Sequence, residues 1–161
     1  MNYNQFNAHQ WLSRMDNCQG ELKMLYNRRD EIVNSMSGIS KYDDKAIKGG
    51  SDPNPTEAKL IEYSTICARI EKLEGDLSTE NTRTLNIIDQ VKDSKLRGML
   101  IGRYINHLPW SKVGKAFYYA KSTSYVYQFK CLDAAFPFIP KDEIIPDDNK
   151  YQSLNVWNNV D

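Results

Sequence analysis

The chain has 161 residues, 40% of them hydrophobic and 11% aromatic, and its 21 basic residues balance 21 acidic ones. This composition is typical of one globular domain, or of a small domain with an extension, and excludes a disordered chain. No apolar run approaches the roughly 20 residues of a membrane-spanning helix, and no charged-then-apolar leader opens the sequence. We therefore expect a cytoplasmic protein with no membrane partner.

About the first 35 residues are predicted to form one helix, with Asn7 as its N-cap. Apolar side chains recur there at alternating three- and four-residue steps, which is the a/d seam of a coiled coil or a helical hairpin. The seam consists of Trp11, Met15, Cys18, Leu22, Leu25, Ile32 and Met36.

Residues 37–56 lose this pattern and include the cluster Gly49-Gly50-Ser51-Asp52-Pro53, so they are predicted to be a mobile loop. A second helix is predicted from Thr56 to about Val91. Such a helix is too long to be stable alone in water, so we expect antiparallel pairing with the first helix and with a second copy of the chain. Residues 1–92 are thus interpreted as a coiled-coil-like hairpin for homodimerisation in an all-α protein.

Residues 93–136 have a different organisation, with shorter helices. Ser94 is predicted to cap a helix that ends near Ile105, and Pro109 suits the first turn of the next helix. Gly114 marks a point where another backbone could approach closely. Ser122 or Thr123 could cap a last helix ending near residue 135, and this succession is that of a helix-turn-helix module.

This segment resembles known transcription factors at specific positions. They are Arg103-Tyr104, Trp110, Val113-Gly114, Phe117 and Tyr119-Ala120. The pattern resembles region 4 of bacterial sigma factors and, more closely, the ArpU-like transcriptional regulators of phages and prophages. The resemblance covers about a quarter of the chain and implies a regulator in a bacterial host cell, with a helical hairpin ahead of its DNA-binding module.

The resemblance leaves two registers open for the last helix. Without a gap, Ser124, Tyr127 and Leu132 occupy its buried positions, whereas a shift by two residues buries Val126 instead.

The charge is unevenly distributed in a way that favours nucleic-acid binding. Between Lys92 and Phe136 there are eight basic residues and two acidic ones, a net charge of +6. The flanking segments are both acidic, so this basic stretch is interpreted as a phosphate-contacting surface.

The candidate DNA-contacting side chains follow from the geometry of helix-turn-helix modules, whose last helix enters the major groove. Those expected to reach base edges or nearby phosphates are Lys121, Ser122, Thr123, Tyr125 and Gln128. Those expected to hold phosphates without reading sequence are Lys112, Lys115 and Lys130. Gln128 could bond two sites on adenine, and Thr123 or Tyr125 could meet a thymine methyl.

The remaining segments give weaker signals. Residues 137–161 are predicted to be an extended acidic tail whose apolar residues pack on the body or on a partner subunit. Cys18, Cys67 and Cys131 are widely spaced and are interpreted as buried free thiols. The chain lacks the motifs of common enzymes, zinc sites and nucleotide-binding loops, so we predict no enzymatic activity, no cofactor and no metal.

Two alternatives to a regulator remain open at this point. A small-terminase-like DNA-packaging protein also joins a helix-turn-helix to oligomerising helices, but it assembles into a ring of many copies instead of a dimer. A module of the same fold could instead bind a protein such as RNA polymerase, because residues 117–129 are rich in aromatic side chains.

Overall fold

The computed structural model describes residues 1–37 and 55–146, and within them every regular element is helical. In chain order the α-helices are α1 (Tyr3–Leu12), α2 (Asp16–Ser37), α3 (Pro55–Ile88), α4 (Ser94–Leu100), α5 (Trp110–Ala116) and α6 (Lys121–Ala135). A π-helical turn, Ile101–Ile105, continues α4, and the 3-10 turns Phe136–Phe138 and Lys141–Glu143 follow α6. The predicted all-α class is confirmed, while most of the predicted loop 37–56 lies outside the described residues.

The chain forms two compact units. The terminal unit combines Met1–Met15 with the residues from Glu80 onward, and the hairpin unit is Asp16–Thr79. The predicted division at residue 92 does not coincide with this one, because α1 and the last turns of α3 belong to the terminal unit. No helix of the described residues is both long enough and apolar enough to cross a membrane.

The N-terminal segment is two helices, and the prediction of one continuous helix is wrong. Asn2, and not Asn7, is the N-cap of α1: its side chain accepts from Gln5 N at 2.8 Å, and its own N–H donates to Gln5 Oε1 at 3.0 Å. The helix ends at Leu12, and the hydroxyl of its C-cap Ser13 donates to His9 O at 2.6 Å. Asn7 is buried inside α1, where Nδ2 donates to the Tyr3 carbonyl at 3.1 Å.

The hairpin unit is built on a single apolar seam between α2 and α3. Its buried residues are Leu22, Ile32, Ile66, Ile70 and Leu73. The two helices run antiparallel, because residues early in α2 meet residues late in the hairpin part of α3. Arg69 pairs with Glu21 at 2.7 Å, for example, and Arg28 pairs with Glu62 at 2.8 Å.

The terminal unit has a larger core, to which α1, the end of α3, α4, α5 and α6 all contribute. Its fully buried side chains include Ile88, Met99, Leu100, Val113 and Leu132. Several of these come from positions far apart in sequence, so this core depends on the packing of short helices and not on one repeating seam.

Two predicted helix caps in the terminal unit are wrong by a few residues. Asp93 caps α4 instead of Ser94, since its carboxylate accepts from Lys95 N at 2.8 Å and Leu96 N at 3.2 Å. The N-cap of α6 is Ala120, so neither Ser122 nor Thr123 has that role.

The chain beyond α6 is not simply extended, which corrects the prediction for its first part. Pro137 fits within the 3-10 turn Phe136–Phe138, where proline's missing N–H is tolerated. Ile139 is buried, and Tyr3 donates from its hydroxyl to the Ile145 carbonyl at 2.8 Å. Residues up to Pro146 therefore pack on the terminal unit, whereas the acidic and apolar residues 147–161 lie outside the described residues.

A network of arginine and glutamate side chains holds α1, α3 and the turn Lys141–Glu143 together. Arg14 donates to Glu80 Oε2 at 2.9 and 2.6 Å, and Arg83 connects Glu80 at 3.0 Å to Glu143 at 2.5 Å. Trp11 Nε1 donates to Glu143 at 2.9 Å, and the Arg14 guanidinium lies 3.7 Å from the centroid of the Trp11 ring.

The network also shifts the titration of its carboxylates. Burial acts to raise the pKa of Glu80, but the hydrogen bonds and charges of Arg14 and Arg83 outweigh burial and leave that pKa below its ordinary value. The pKa of Glu143 is lowered by the hydrogen bond from Trp11 and by Arg83.

The cysteines differ from one another. Cys131 is buried in the terminal core, and burial raises the pKa of its thiol to about 12. Cys18 and Cys67 are only half-buried in the hairpin unit, so the prediction of three buried thiols is wrong for these two. A two-helix seam has too little depth to enclose them.

Candidate nucleic-acid interface

The position of α6 is fixed by its close contact with α5. A Cβ added at Gly114 would lie 1.6 Å from Ser124 Oγ, so only glycine permits this approach, as the sequence indicates. Ser124 is fully buried, and its hydroxyl donates to the Ala120 carbonyl at 2.9 Å. Leu132 is also buried while Val126 is 55% exposed, so α6 has the ungapped register and the two-residue shift is excluded.

The outward face of α6 is defined by the same geometry. Ser122, Tyr125, Val126 and Phe129 are exposed and follow one another at steps of three, one and three residues, on the side opposite Ser124 and the rest of the buried stripe. We call these four residues the outward face. Three of the four are apolar or aromatic, and the spacing alone does not reveal this face unless the register is known.

The predicted DNA-contacting residues lie on α5 and α6, within one unit. Lys112 and Lys115 are exposed on α5, and Lys121 and Lys130 are exposed on α6. Within the part of the chain that the structure describes, no carboxylate lies in ion-pair range of these four lysines.

The four uncharged candidates differ in exposure, and Ser122 is exposed on the outward face. Tyr125 is 46% exposed, as a contacting side chain requires. Thr123 and Gln128 are half-buried, and Gln128 stands four residues from the buried Ser124, on the inner side of the helix. The structure thus separates Gln128 from the outward face, a distinction that depends on the register.

The turn between α5 and α6 holds an unusual tyrosine. Tyr118 has φ 60° and is 98% exposed. A residue other than glycine in the left-handed region costs free energy, and no packing of the Tyr118 ring offsets this cost. Such strain is most common at functional sites.

A cluster of two lysines and two tyrosines connects this turn to α4 and α6. The rings of Tyr119 and Tyr127 stack with centroids 4.6 Å apart and planes inclined by 14°. Lys95 Nζ donates to the Tyr119 hydroxyl at 2.7 Å, and Lys130 Nζ lies 4.9 Å from the Tyr127 centroid. We call these four residues the lysine–tyrosine cluster. Sequence reasoning counted its lysines among the basic residues but did not place Lys95 beside the tyrosines.

The titration of the cluster follows its hydrogen bonds. The bond between Lys95 and Tyr119 raises the pKa of Lys95 and lowers that of Tyr119. The pKa of Tyr127 is raised by its hydrogen bond with Tyr119. The two phenols differ because the Tyr119 hydroxyl accepts from the Lys95 ammonium, and a raised pKa keeps that lysine charged.

Not every basic residue of the segment is available for DNA. Arg97 donates from Nη1 to the carbonyls of Val91 and Lys92 at 2.7 and 3.1 Å, which fixes the connection between α3 and α4. The Arg103 guanidinium lies 5.4 Å from the centroid of the Tyr104 ring. The net charge of the segment therefore includes two arginines with structural contacts, and the exposed positive charge is mainly lysine.

Other kinds of site were sought in the same residues. Among residues 1–37 and 55–146, no group of three His, Cys, Asp or Glu side chains could hold a metal ion. An apolar cavity of about 450 Å³ lies in the terminal unit. It is lined by Tyr3, Phe136, Pro137, Ile139, Lys141, Ile144 and Pro146.

Comparison of the chain with models of protein families, with curated proteins and with solved structures finds no match. Its function is therefore inferred from its own residues and their arrangement.

Proposed function

We propose that the protein binds double-stranded DNA in a sequence-specific manner as a phage or prophage transcriptional regulator, with α5 and α6 as a helix-turn-helix. The observation that carries this proposal is the exposed outward face of α6 within one unit that also exposes Lys112, Lys115, Lys121 and Lys130. The major groove of B-DNA is wide enough to admit one α-helix, and lysines beside that helix would meet the phosphates on either side.

The roles of the residues differ in this arrangement. Ser122 and Tyr125, near the start of α6, would reach base edges first, as the N-terminal residues of recognition helices do. Lys112, Lys115 and Lys130 would hold phosphates and so set the position of the protein on the duplex without reading sequence. Base contacts supply specificity and phosphate contacts supply much of the affinity.

We further propose a homodimer formed through the hairpin unit. Met24, Leu60 and Ile61 are between 52% and 64% exposed on α2 and α3, and Val33 is 43% exposed. A second copy of the chain would cover these side chains and place two recognition helices on neighbouring half-sites. Sedimentation of the full chain measures this: a monomer at micromolar concentration would contradict the homodimer and leave DNA binding by one module open.

The DNA-binding proposal is tested by fluorescence anisotropy on random-sequence duplexes and on duplexes selected by the protein. The double variant Lys112→Ala/Lys115→Ala is expected to weaken binding to all duplexes alike and to reduce the salt slope by about two. Tyr125→Ala is expected to cost about 1–3 kcal/mol on the selected duplex only, with a smaller loss for Gln128→Ala. Absence of wild-type binding to any duplex at low salt would overturn the proposal.

A second candidate function is supported by the aromatic character of the same surface. Tyr118 is 98% exposed, Val126 55% and Phe129 38%, and exposed aromatic residues are enriched where proteins bind proteins. On this alternative the module binds a protein partner such as RNA polymerase. Retained binding to purified polymerase, lost on Tyr118→Ser and Phe129→Ser, together with no DNA binding, would favour it.

A further inference from the structure

The lysine–tyrosine cluster has features of an anion site, and only Lys130 of its four residues is among the candidate DNA contacts. Two ammonium groups flank a pair of stacked rings, and Lys95 is exposed despite its bond to Tyr119. A surface lysine normally loses side-chain entropy when a ligand orders it. Lys95 is already held by the hydroxyl and lies 5.3 and 5.9 Å from the two ring centroids, so less of this loss remains when it binds a ligand.

The cluster retains hydrogen-bonding capacity toward an outside acceptor. Lys95 uses one of its three N–H groups on Tyr119 and keeps two. The Tyr119 oxygen accepts from Lys95, and the Tyr119 hydroxyl carries a proton of its own that it can donate. Asp93 acts electrostatically on Lys95 and Tyr127, and its carboxylate is engaged by backbone N–H groups at the start of α4.

The position of the cluster connects it to the outward face. Tyr127 and Lys130 are three residues apart on α6 and line one edge of the outward face. Tyr119 lies in the turn just before α6, and Lys95 brings in the start of α4. If α6 enters the major groove of a duplex, the cluster at its edge would face the sugar–phosphate backbone beside that groove.

We propose that Lys95, Tyr119 and Lys130 bind one phosphate group of the DNA backbone, with Tyr127 as the positioning residue that orders Tyr119 and Lys130. This inference rests on the proposed DNA binding and adds a contact from outside the helix-turn-helix itself. The ligand chemistry is a phosphate diester, for which two lysines supply charge and the Tyr119 hydroxyl supplies a neutral donor.

The salt dependence of DNA binding tests the contribution of Lys95. Lys95→Gln is expected to reduce the slope of log affinity against log salt by about 0.9, so that its loss relative to wild type is about three- to fourfold larger at 50 mM than at 200 mM salt. Lys72→Gln is the matched control, because Lys72 is also exposed and helical but lies in the hairpin unit. Lys95→Arg, which keeps the charge, should retain most of the slope.

Tyr119→Phe tests whether Lys95 and Tyr119 act as one ordered pair or as two independent groups. The substitution keeps the stacked ring and removes the hydroxyl, so in the wild-type background we expect a smaller loss of DNA affinity than Lys95→Gln causes. In the Lys95→Gln background the same substitution should have almost no further effect, because groups that act as one unit are not additive. Equal losses in the two backgrounds would overturn the proposal.

The contacted phosphate can be located by replacing single phosphates of a selected duplex with uncharged methylphosphonates. One position is expected at which wild type loses affinity and Lys95→Gln does not. If wild type binds duplexes but Lys95→Gln matches Lys72→Gln in slope and has no such position, the phosphate site is wrong and the proposed function stands. If wild type binds no duplex, the proposed function is wrong and this inference falls with it.

Discussion

The hairpin unit and the terminal unit bury their apolar side chains in different ways. The hairpin core is one seam whose residues keep 3–8% of their surface exposed, whereas Met99, Leu100 and Leu132 in the terminal unit are completely buried. Large apolar side chains such as Met24 and Ile61 are more than 60% exposed in the hairpin unit. Two helices can cover only one side of each other, while several short helices can enclose a core on all sides.

Because their cores differ, the two units respond differently to substitutions that change side-chain volume. The terminal unit has residues in contact from five helices, so small changes of volume are transmitted to its neighbours. The hairpin unit has open space around much of its surface, so changes there are absorbed by side chains and solvent. The candidate site lies on the terminal unit, where rigid packing can hold the lysines and tyrosines in place.

The largest effect is expected from Gly114→Ala, which acts on the tightest contact of the terminal unit. The added methyl would overlap Ser124 Oγ and approach Ser124 Cβ to 2.5 Å and its Cα to 3.5 Å, so α5 and α6 must separate. We expect a loss of about 2–3 kcal/mol in the free energy of unfolding. Trp11 and Trp110 both lie in this unit, so urea titration monitored by tryptophan fluorescence measures the effect.

The second-site variant Ser124→Gly is the control for this prediction. It removes the Oγ and Cβ atoms that the new methyl would meet. The double variant Gly114→Ala/Ser124→Gly should therefore be more stable than the double variant Gly114→Ala/Ser124→Ala, in which residue 124 keeps its Cβ. A stability of Gly114→Ala equal to wild type would show that the two helices are not in this close contact.

The sequence predicts the structure of the hairpin unit more completely than that of the terminal unit. The three-four spacing of Leu22, Leu25 and Ile32 is a local pattern, and it predicts a helix with an apolar stripe without knowledge of the rest of the chain. The same spacing joins Trp11 to the hairpin seam, although Trp11 is buried in the terminal unit. Periodicity cannot detect the break at Ser13, because a short turn hardly disturbs the rhythm.

Parts of the candidate site also depend on contacts that no local pattern contains. The basic stretch and Gly114 are visible in the sequence, and the lysines of α5 and α6 are exposed. The bond between Lys95 and Tyr119 joins residues 24 positions apart and depends on how α4 meets the turn before α6. The half-buried state of Gln128 likewise follows from which face of α6 meets α5 at Ser124.

An intermediate effect is expected from Glu80→Gln, which removes the central charge of the arginine–glutamate network. Glu80 bonds Arg14 and Arg83, and its side chain is 23% exposed. Allowing for solvent screening at a partly exposed site, we expect a loss of about 1 kcal/mol near pH 7.

The pH dependence of this variant gives the sign of the interaction. The pKa of Glu80 is lower in the folded protein than its ordinary value of 4.5, so the stabilisation is complete above pH 4.5 and is lost as the pH falls through the folded value. Wild type should therefore lose more stability on acidification than Glu80→Gln does. Parallel stability curves from pH 7 to pH 3 would mean that the network adds nothing to folding. Hydrogen exchange of amides in α1 and at the end of α3 gives the same comparison locally.

The smallest effect is expected from the same type of substitution as the largest, made in the hairpin unit. Gly75 lies within α3, is exposed, and a Cβ added there meets no heavy atom within 4 Å. Gly75→Ala should therefore stabilise the hairpin by about 0.5–1 kcal/mol, because alanine loses less backbone entropy in a helix and nothing has to move. Slower hydrogen exchange in α2 and α3, with unchanged tryptophan fluorescence, is the expected observation. A destabilising Gly75→Ala would instead place a neighbour against this turn of α3, and the contrast between an open hairpin and a closed terminal core would fail at that position.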